Sequence, residues 1–283
     1  MLYSWAYWDD VEPNKSPIPT VIQDFIRTKS PPVRLYVWQC SIPWSRTTAA
    51  QTQSLPQFSH IASIPTSNLA GLSMCRPMSG GRDFQEVLAQ LVTSSPLLDS
   101  IELYRITSRF HGNKRLPPIK HLSLNRSYWR YAADEVSRIW DFSRLETLRI
   151  TNRSHAVEFL RSVSSKNLPC LKRLAIEVTR SLPPPQDHSE MVGRFLLESP
   201  QLVELELTTG LWSLPIASIT RHSSLRVLSL KDRMWTNGRR ELAGTIAIPD
   251  LESIGMVCKH ISKLTLDVRD CDASIIILSA QLH

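Results

Sequence analysis

The chain has 283 residues, of which 42% are hydrophobic and 21% charged, so it is long enough to bury a substantial core and too apolar to stay disordered. Its formal net charge of +7 raises the question of nucleic acid, but the basic residues are scattered, as at Arg144, Arg149, Arg153, Arg161, Lys172, Arg173 and Arg180, with acids between them. A nucleic-acid surface needs its cations gathered on one face, preferably with stacking aromatics, and the pattern argues against that partner.

The first 68 residues read as an N-terminal flanking segment. Its opening, Met1-Leu2-Tyr3-Ser4-Trp5-Ala6-Tyr7-Trp8-Asp9-Asp10, lacks both a basic start and an apolar core, so we expect no signal peptide. Ile18, Val21, Ile22, Phe25 and Ile26 predict a short helix after Pro17-Ile18-Pro19. Val33-Arg34-Leu35-Tyr36-Val37-Trp38 predicts a strand that serves as a degenerate first repeat. From Ser41 to Ser67 the chain is rich in Ser, Thr, Gln and Pro and reads as an irregular connection.

Residues 69–283 are governed by a hexad, apolar-x-x-apolar-x-apolar. Copies begin at Leu69, Leu98, Ile119, Leu145, Leu171, Leu202, Leu225 and Ile261. Successive starts are 29, 21, 26, 26, 31, 23 and 36 residues apart, a mean of about 27 that falls in the leucine-rich-repeat range. The last four residues of each copy alternate apolar and polar, as suits a strand with one buried face. Between copies the period changes: Phe84, Val87, Leu88 and Leu91, and again Ala156, Phe159, Leu160 and Val163, recur at helical spacing, and Val192, Phe195 and Leu196 begin the same stripe. Pro96, Pro118, Pro169 and Pro200 stand one or two residues before a hexad, where proline ends a helix and favours extended chain.

A strand-helix unit this short cannot bury its apolar face alone, whereas stacked copies can. The expected fold is therefore α/β, a leucine-rich-repeat solenoid shaped as a horseshoe, with parallel strands on the concave face and helices on the convex face. The alternative, a doubly wound α/β domain, would show fewer and longer strands and a Gly-rich strand-to-helix turn. Two segments lengthen repeats. Ser181-Leu182-Pro183-Pro184-Pro185-Gln186-Asp187-His188 reads as a loop spacer in preference to a polyproline ligand, and Thr236-Asn237-Gly238-Arg239-Arg240 as a surface turn. The apolar Ser274-Ile275-Ile276-Ile277-Leu278 calls for a cover, supplied by a further segment, by another chain, or by a helix over the last strand.

No apolar stretch approaches the ~18 residues of a membrane span, so no membrane is expected. Cys40, Cys75, Cys170, Cys258 and Cys271 are widely spaced without a C-x-x-C pair, as expected of reduced, mostly buried cysteines in an intracellular protein of cytoplasm or nucleus. The sequons Asn125-Arg126-Ser127 and Asn152-Arg153-Ser154 receive no role. Phosphate-loop, zinc-protease and nucleophile-elbow motifs do not occur, and no catalytic residue, cofactor or metal is expected. Ser79-Gly80-Gly81-Arg82 reads as a capping turn, and the spacing of Asp267, Asp270 and Asp272 does not match a calcium loop. His155 and His260 border elements as capping or solvated residues.

What remains is a surface. The side chains alternating with the buried leucines should line the concave face and bind a protein substrate or partner. Repeat by repeat they are Glu102 and Tyr104, His121 and Asn125, Thr147 and Arg149, Arg173 and Glu177, Glu204 and Glu206, Lys231, and Lys263 and Asp267. Arg149 and Arg173 followed by Glu177, Glu204 and Glu206 make a dipolar strip suited to a partner of mixed charge.

The stretch Trp140-Asp141-Phe142-Ser143-Arg144-Leu145-Glu146-Thr147-Leu148 through Leu168-Pro169-Cys170-Leu171-Lys172-Arg173-Leu174 resembles the repeat region of the fungal F-box/leucine-rich-repeat protein family. Glu198-Ser199-Pro200-Gln201-Leu202-Val203-Glu204-Leu205 and Cys258-Lys259-His260-Ile261-Ser262-Lys263-Leu264 are similar, and the resemblance spans roughly residues 69–270 and, more weakly, 1–40. It implies a substrate receptor of an SCF-type ubiquitin ligase, whose repeats hold the substrate. A Skp-family adaptor and cullin would join only through an F-box upstream. Residues 1–68 contain no match to that box, because Leu55-Pro56 sits in a polar stretch, and the asparagine of regular repeats is replaced by Ser127, Arg153, Thr179, Gly210 and Arg233. The alternative is a free-standing leucine-rich-repeat scaffold unrelated to ubiquitin transfer.

Overall fold

A computed structural model describes residues 2–6, 24, 28, 33–38, 64–75, 82–108, 110, 115–151, 153–177, 187–208, 214–231, 235–236, 239–240 and 248–266. Each of the eight hexads forms a strand: β3 (Leu69–Cys75), β4 (Ser100–Tyr104), β6 (His121–Asn125), β8 (Thr147–Thr151), β9 (Arg173–Glu177), β10 (Glu204–Thr208), β11 (Val227–Lys231) and β14 (Lys263–Leu266). With β1 (Leu2–Ala6) and β2 (Val33–Trp38) they make one ten-stranded sheet, ordered β1-β2-β3-β4-β6-β8-β9-β10-β11-β14. Every neighbouring pair in it is parallel. The strand expected at 33–38 thus forms and continues the sheet across the 68/69 boundary through β2 and β3. The doubly wound alternative requires the strand order to reverse, and this sheet runs in sequence order throughout.

Parallel neighbours need crossovers, and helices supply most of them: α1 (Arg82–Thr93), α2 (Ala133–Ile139), α3 (Arg153–Ser162), α4 (Asp187–Glu198), α5 (Ile216–Thr220) and α6 (Ile248–Val257). From α2 onward each helix packs against the next. Leu88, Leu91 and Val92 of α1, Ala156, Phe159 and Leu160 of α3, and Val192, Phe195 and Leu196 of α4 are buried, and they join the hexad leucines in a single apolar core. α2 and α5 carry too few apolar positions to show a helical period in the sequence. α2 is fixed at its start by Glu135, whose carboxylate accepts the Ala132 N–H at 3.0 Å.

The same local chemistry recurs between units. Ser95 and Ser199, each three residues before a hexad, donate their hydroxyls back to the carbonyls of Leu91 (2.7 Å) and Phe195 (2.6 Å), and the following proline then ends the helix. Just before β4, β6, β8, β9, β10 and β11 one carbonyl accepts two N–H groups from the next unit. Asp99 takes those of Lys120 and His121, Lys120 those of Glu146 and Thr147, Glu146 those of Lys172 and Arg173, and Lys172 those of Val203 and Glu204. Val203 and Arg226 repeat the arrangement toward the last two strands. Each unit is therefore stitched to its immediate neighbours.

Two minor ladders fall outside the hexad pattern. β5 (Thr107–Ser108) pairs parallel with β7 (Tyr128–Trp129), while β12 (Trp235–Thr236) pairs antiparallel with β13 (Arg239–Arg240), the segment read as a surface turn. Behind β7 lies an aromatic cluster in which the Trp129 ring centroid stands 4.7 Å from those of both Tyr131 and Phe159, and 5.4 Å from that of Trp140. The helix expected around Ile18–Ile26 falls outside the described residues apart from Asp24 and Thr28. The Ser79–Gly81 turn, the triple proline, the aspartates at 267, 270 and 272, and the apolar stretch 274–278 also lie outside them.

Candidate functional site: the open face of the sheet

Alternation along each strand sends the hexad apolar residues toward the helices and the intervening residues to the opposite, open face; β4 and β6 alternate half-buried and buried residues without exception. Because the pairs from β3 to β14 are in register, the open-face residues line up in three rungs running across the strands. The leading rung reads Ser100, His121, Thr147, Arg173, Glu204, Val227 and Lys263. The middle rung reads Ser73, Glu102, Ser123, Arg149, Ala175, Glu206, Ser229 and Thr265. The trailing rung reads Tyr104, Asn125, Thr151, Glu177, Thr208 and Lys231.

Of the thirteen residues expected on this face, twelve are on these rungs, and Asp267 lies outside the described residues. The rungs also sort them by what they can offer a partner. Arg173 Nε lies 3.2 Å from Glu204 Oε1, so two members of the dipolar strip neutralise one another. Ser73 donates its hydroxyl to Glu102 Oε2 at 3.0 Å, and the Thr151 hydroxyl donates to Asn125 Oδ1. Ser73 and Thr151 had no place in the sequence reading, although each sits at the hexad offset that marks this face.

Arg149 and Glu206 differ. Both are exposed, both sit on the middle rung, and only Ala175 stands between them. With strands about 4.8 Å apart, their backbones are separated by roughly 10 Å. Neither is ion-paired among the described residues. Ser123 beside Arg149 and Ser229 beside Glu206 are small, so a guanidinium and a carboxylate project from a floor of short side chains.

At the edge where the strands leave the sheet, two more arginines missed by sequence reasoning stand directly after β4 and β6. Arg105 and Arg126 hold positive φ, 54° and 51°. Glycine or asparagine is the usual resident there, so arginine gave no turn signal.

Among the described residues no group of three or more His, Cys, Asp or Glu could hold a metal, and no helix is long and apolar enough to cross a membrane. Cys258 is buried, which pushes its thiol up from the ordinary range, and Cys170 is exposed; both are free. No side chain is described for the other three cysteines. His222 is fully buried. Desolvation, then the neighbouring Arg221 charge, lower its pKa to about 4 against a smaller opposing pull from the Leu196 carbonyl. The neutral ring accepts the Leu202 N–H on Nδ1 at 3.3 Å, and the His222 carbonyl accepts from Cys258 Sγ at 3.6 Å. This histidine therefore fastens neighbouring units together. No protein-family model matches the chain, and no curated protein sequence matches it.

Proposed function

We propose that this chain is a non-enzymatic protein-recognition module, a leucine-rich-repeat solenoid whose concave face is the open face of the sheet and whose helices form the convex side. The observation that carries this reading is the middle rung, where Arg149 and Glu206 stand exposed over short neighbours and are not ion-paired among the described residues. The neighbour-to-neighbour stitching supports the repeat architecture, because a solenoid unit is held by the units flanking it. On the resemblance of residues 69–270, the module is the substrate-binding repeat region of an F-box-like ubiquitin-ligase receptor in the cytoplasm or nucleus. Its adaptor and cullin join through an F-box on the full receptor.

A second reading has its own observation. β1 and β2 occupy the sheet edge ahead of the hexads, so part of the segment 1–68 is used as sheet where a receptor of this type would carry a helical box. That favours a free-standing scaffold. Affinity purification from the native cell separates the two. Recovery of a Skp-family adaptor and cullin supports the receptor, and recovery of face-dependent partners without them supports the scaffold. In either case the double reversal Arg149→Glu with Glu206→Arg should remove the partners and leave the fold intact. Partners retained in full by that variant would remove the recognition reading.

A further inference from the structure

His222 stands where three units meet. Its ring Nδ1 accepts the Leu202 N–H at 3.3 Å from the unit before, and its carbonyl accepts Cys258 Sγ at 3.6 Å from the unit after. Gln201, next to Leu202, donates to the Arg221 carbonyl at 2.8 Å and ties the same junction a second time. The histidine is fully buried. With Nδ1 accepting, the neutral ring carries its proton on Nε2, on the side of the Leu196 carbonyl of α4. The titratable groups that face it are Arg221, its neighbour in the chain, and the Cys258 thiol just after α6.

A proton added at Nδ1 would point at the Leu202 N–H, donor against donor, and would set a cation in a buried site beside the Arg221 charge. The ring must therefore leave its place to become charged. The units on the C-terminal side of the junction are the ones that bury least. α5 has five residues, and Leu264 and Leu266 of β14 are half-buried, whereas Leu205 and Leu207 of β10 are fully buried. Met256 and Val257 of α6 are exposed. A repeat unit is held by its own packing and by its neighbours, so these units open first when the junction weakens.

We propose that His222 is an acid-released fastener, whose protonation frees β11 with α5 and β14 with α6 as one block from β10, while the units from β3 to β10 stay folded. The ring's pKa is about 4 in the closed chain and 6.5 once exposed, so opening takes up a proton between those values and becomes easier as pH falls. Release removes Val227, Lys231 and Lys263 from the rungs, so acid shortens the open face. The inference stands apart from the recognition reading, since it needs only the stacking of units.

Amide hydrogen exchange of the full chain, expressed as protection factors at about pH 7 and about pH 4.5, makes the test. Protection over residues 225–231 and 261–266 should fall about 50- to 100-fold, the shift set by the two pKa values, while residues 121–125, 147–151 and 173–177 change by less than about threefold. His222→Asn, which offers an oxygen near the Nδ1 position and does not titrate, should lose the acid drop. Magnetic resonance of the native ring nitrogens needs no variant: Nδ1 should stay unprotonated until β11 and β14 lose protection. A fall of equal size in every unit, or no fall in any, would overturn the proposal. So would a ring that titrates near pH 6.5 with β14 still protected, or an unchanged acid drop in the variant.

Discussion

Arg173 and Glu204, register partners on β9 and β10, form an ion pair at 3.2 Å on the leading rung, so the strip of opposite charges expected from the sequence is partly closed on itself. The charges left open to a partner are those of Arg149 and Glu206 one rung further on. Pairing and openness are decided by register, which spacing alone does not fix.

The Arg173–Glu204 pair is solvent-exposed, and its coupling should be small, under about 1 kcal/mol. A double-mutant cycle with Arg173→Ala and Glu204→Ala, read by urea midpoints, should return that value and shrink in high salt. Coupling of several kcal/mol would show that the pair is shielded from water and that this end of the rung is not an open surface.

Neighbouring positions on β8 should respond in opposite ways. Leu148 is fully buried, and Leu148→Ala should cost about 2–5 kcal/mol. Arg149→Ala, one residue along on the open face, should change stability by no more than about 0.5 kcal/mol. Equal costs measured by chemical denaturation would contradict the assignment of the two faces.

Trp129 is fully buried, and its indole N–H donates to Ser162 Oγ at 2.7 Å. Ser162→Ala leaves that donor unsatisfied within the aromatic cluster, so the chain should lose about 1–3 kcal/mol. Ser162→Thr, which keeps the oxygen, should recover part of the loss if the extra methyl fits. Denaturation midpoints of the two variants make the comparison.

His222 sets a pH dependence. Its pKa is about 4 in the folded chain against 6.5 when unfolded. Between those values the unfolded chain holds a proton that the folded chain lacks, so stability falls as pH drops through that window. The contribution is complete above pH 6.5 and amounts to roughly 3 kcal/mol lost by pH 4. His222→Gln should flatten the native chain's stability curve over this window, and an unchanged slope would show that His222 is charged or exposed in the folded state.

The hexads were legible because three apolar positions in six residues, repeated with polar residues between, have one economical outcome: a strand buried on one side. Hence the eight hexad strands, and the face on which twelve named residues lie, could be read before any coordinates. α2 and α5 were not legible, being too short to complete an apolar stripe, and β5 and β7 are two residues each. Of the residues on the open face, Ser73 and Thr151 carry no charge to draw notice, yet they hold Glu102 and Asn125. Arg105 and Arg126 were hidden for a different reason. Their backbone conformation is one that sequence rules assign to glycine, and tertiary hydrogen bonds from neighbouring units impose it on arginine.

The recognition reading is tested most directly by placing a photoreactive side chain at Ser123, Ala175 or Glu206 on the middle rung, and, as controls, at Glu158, Arg161 or Leu197 on the helices, and crosslinking in the native cell. The rung positions should capture a shared set of proteins that the helix positions do not, and reversal of Arg149 and Glu206 should abolish the capture. The same proteins captured from the helix positions alone would contradict the assignment of the open face as the binding surface.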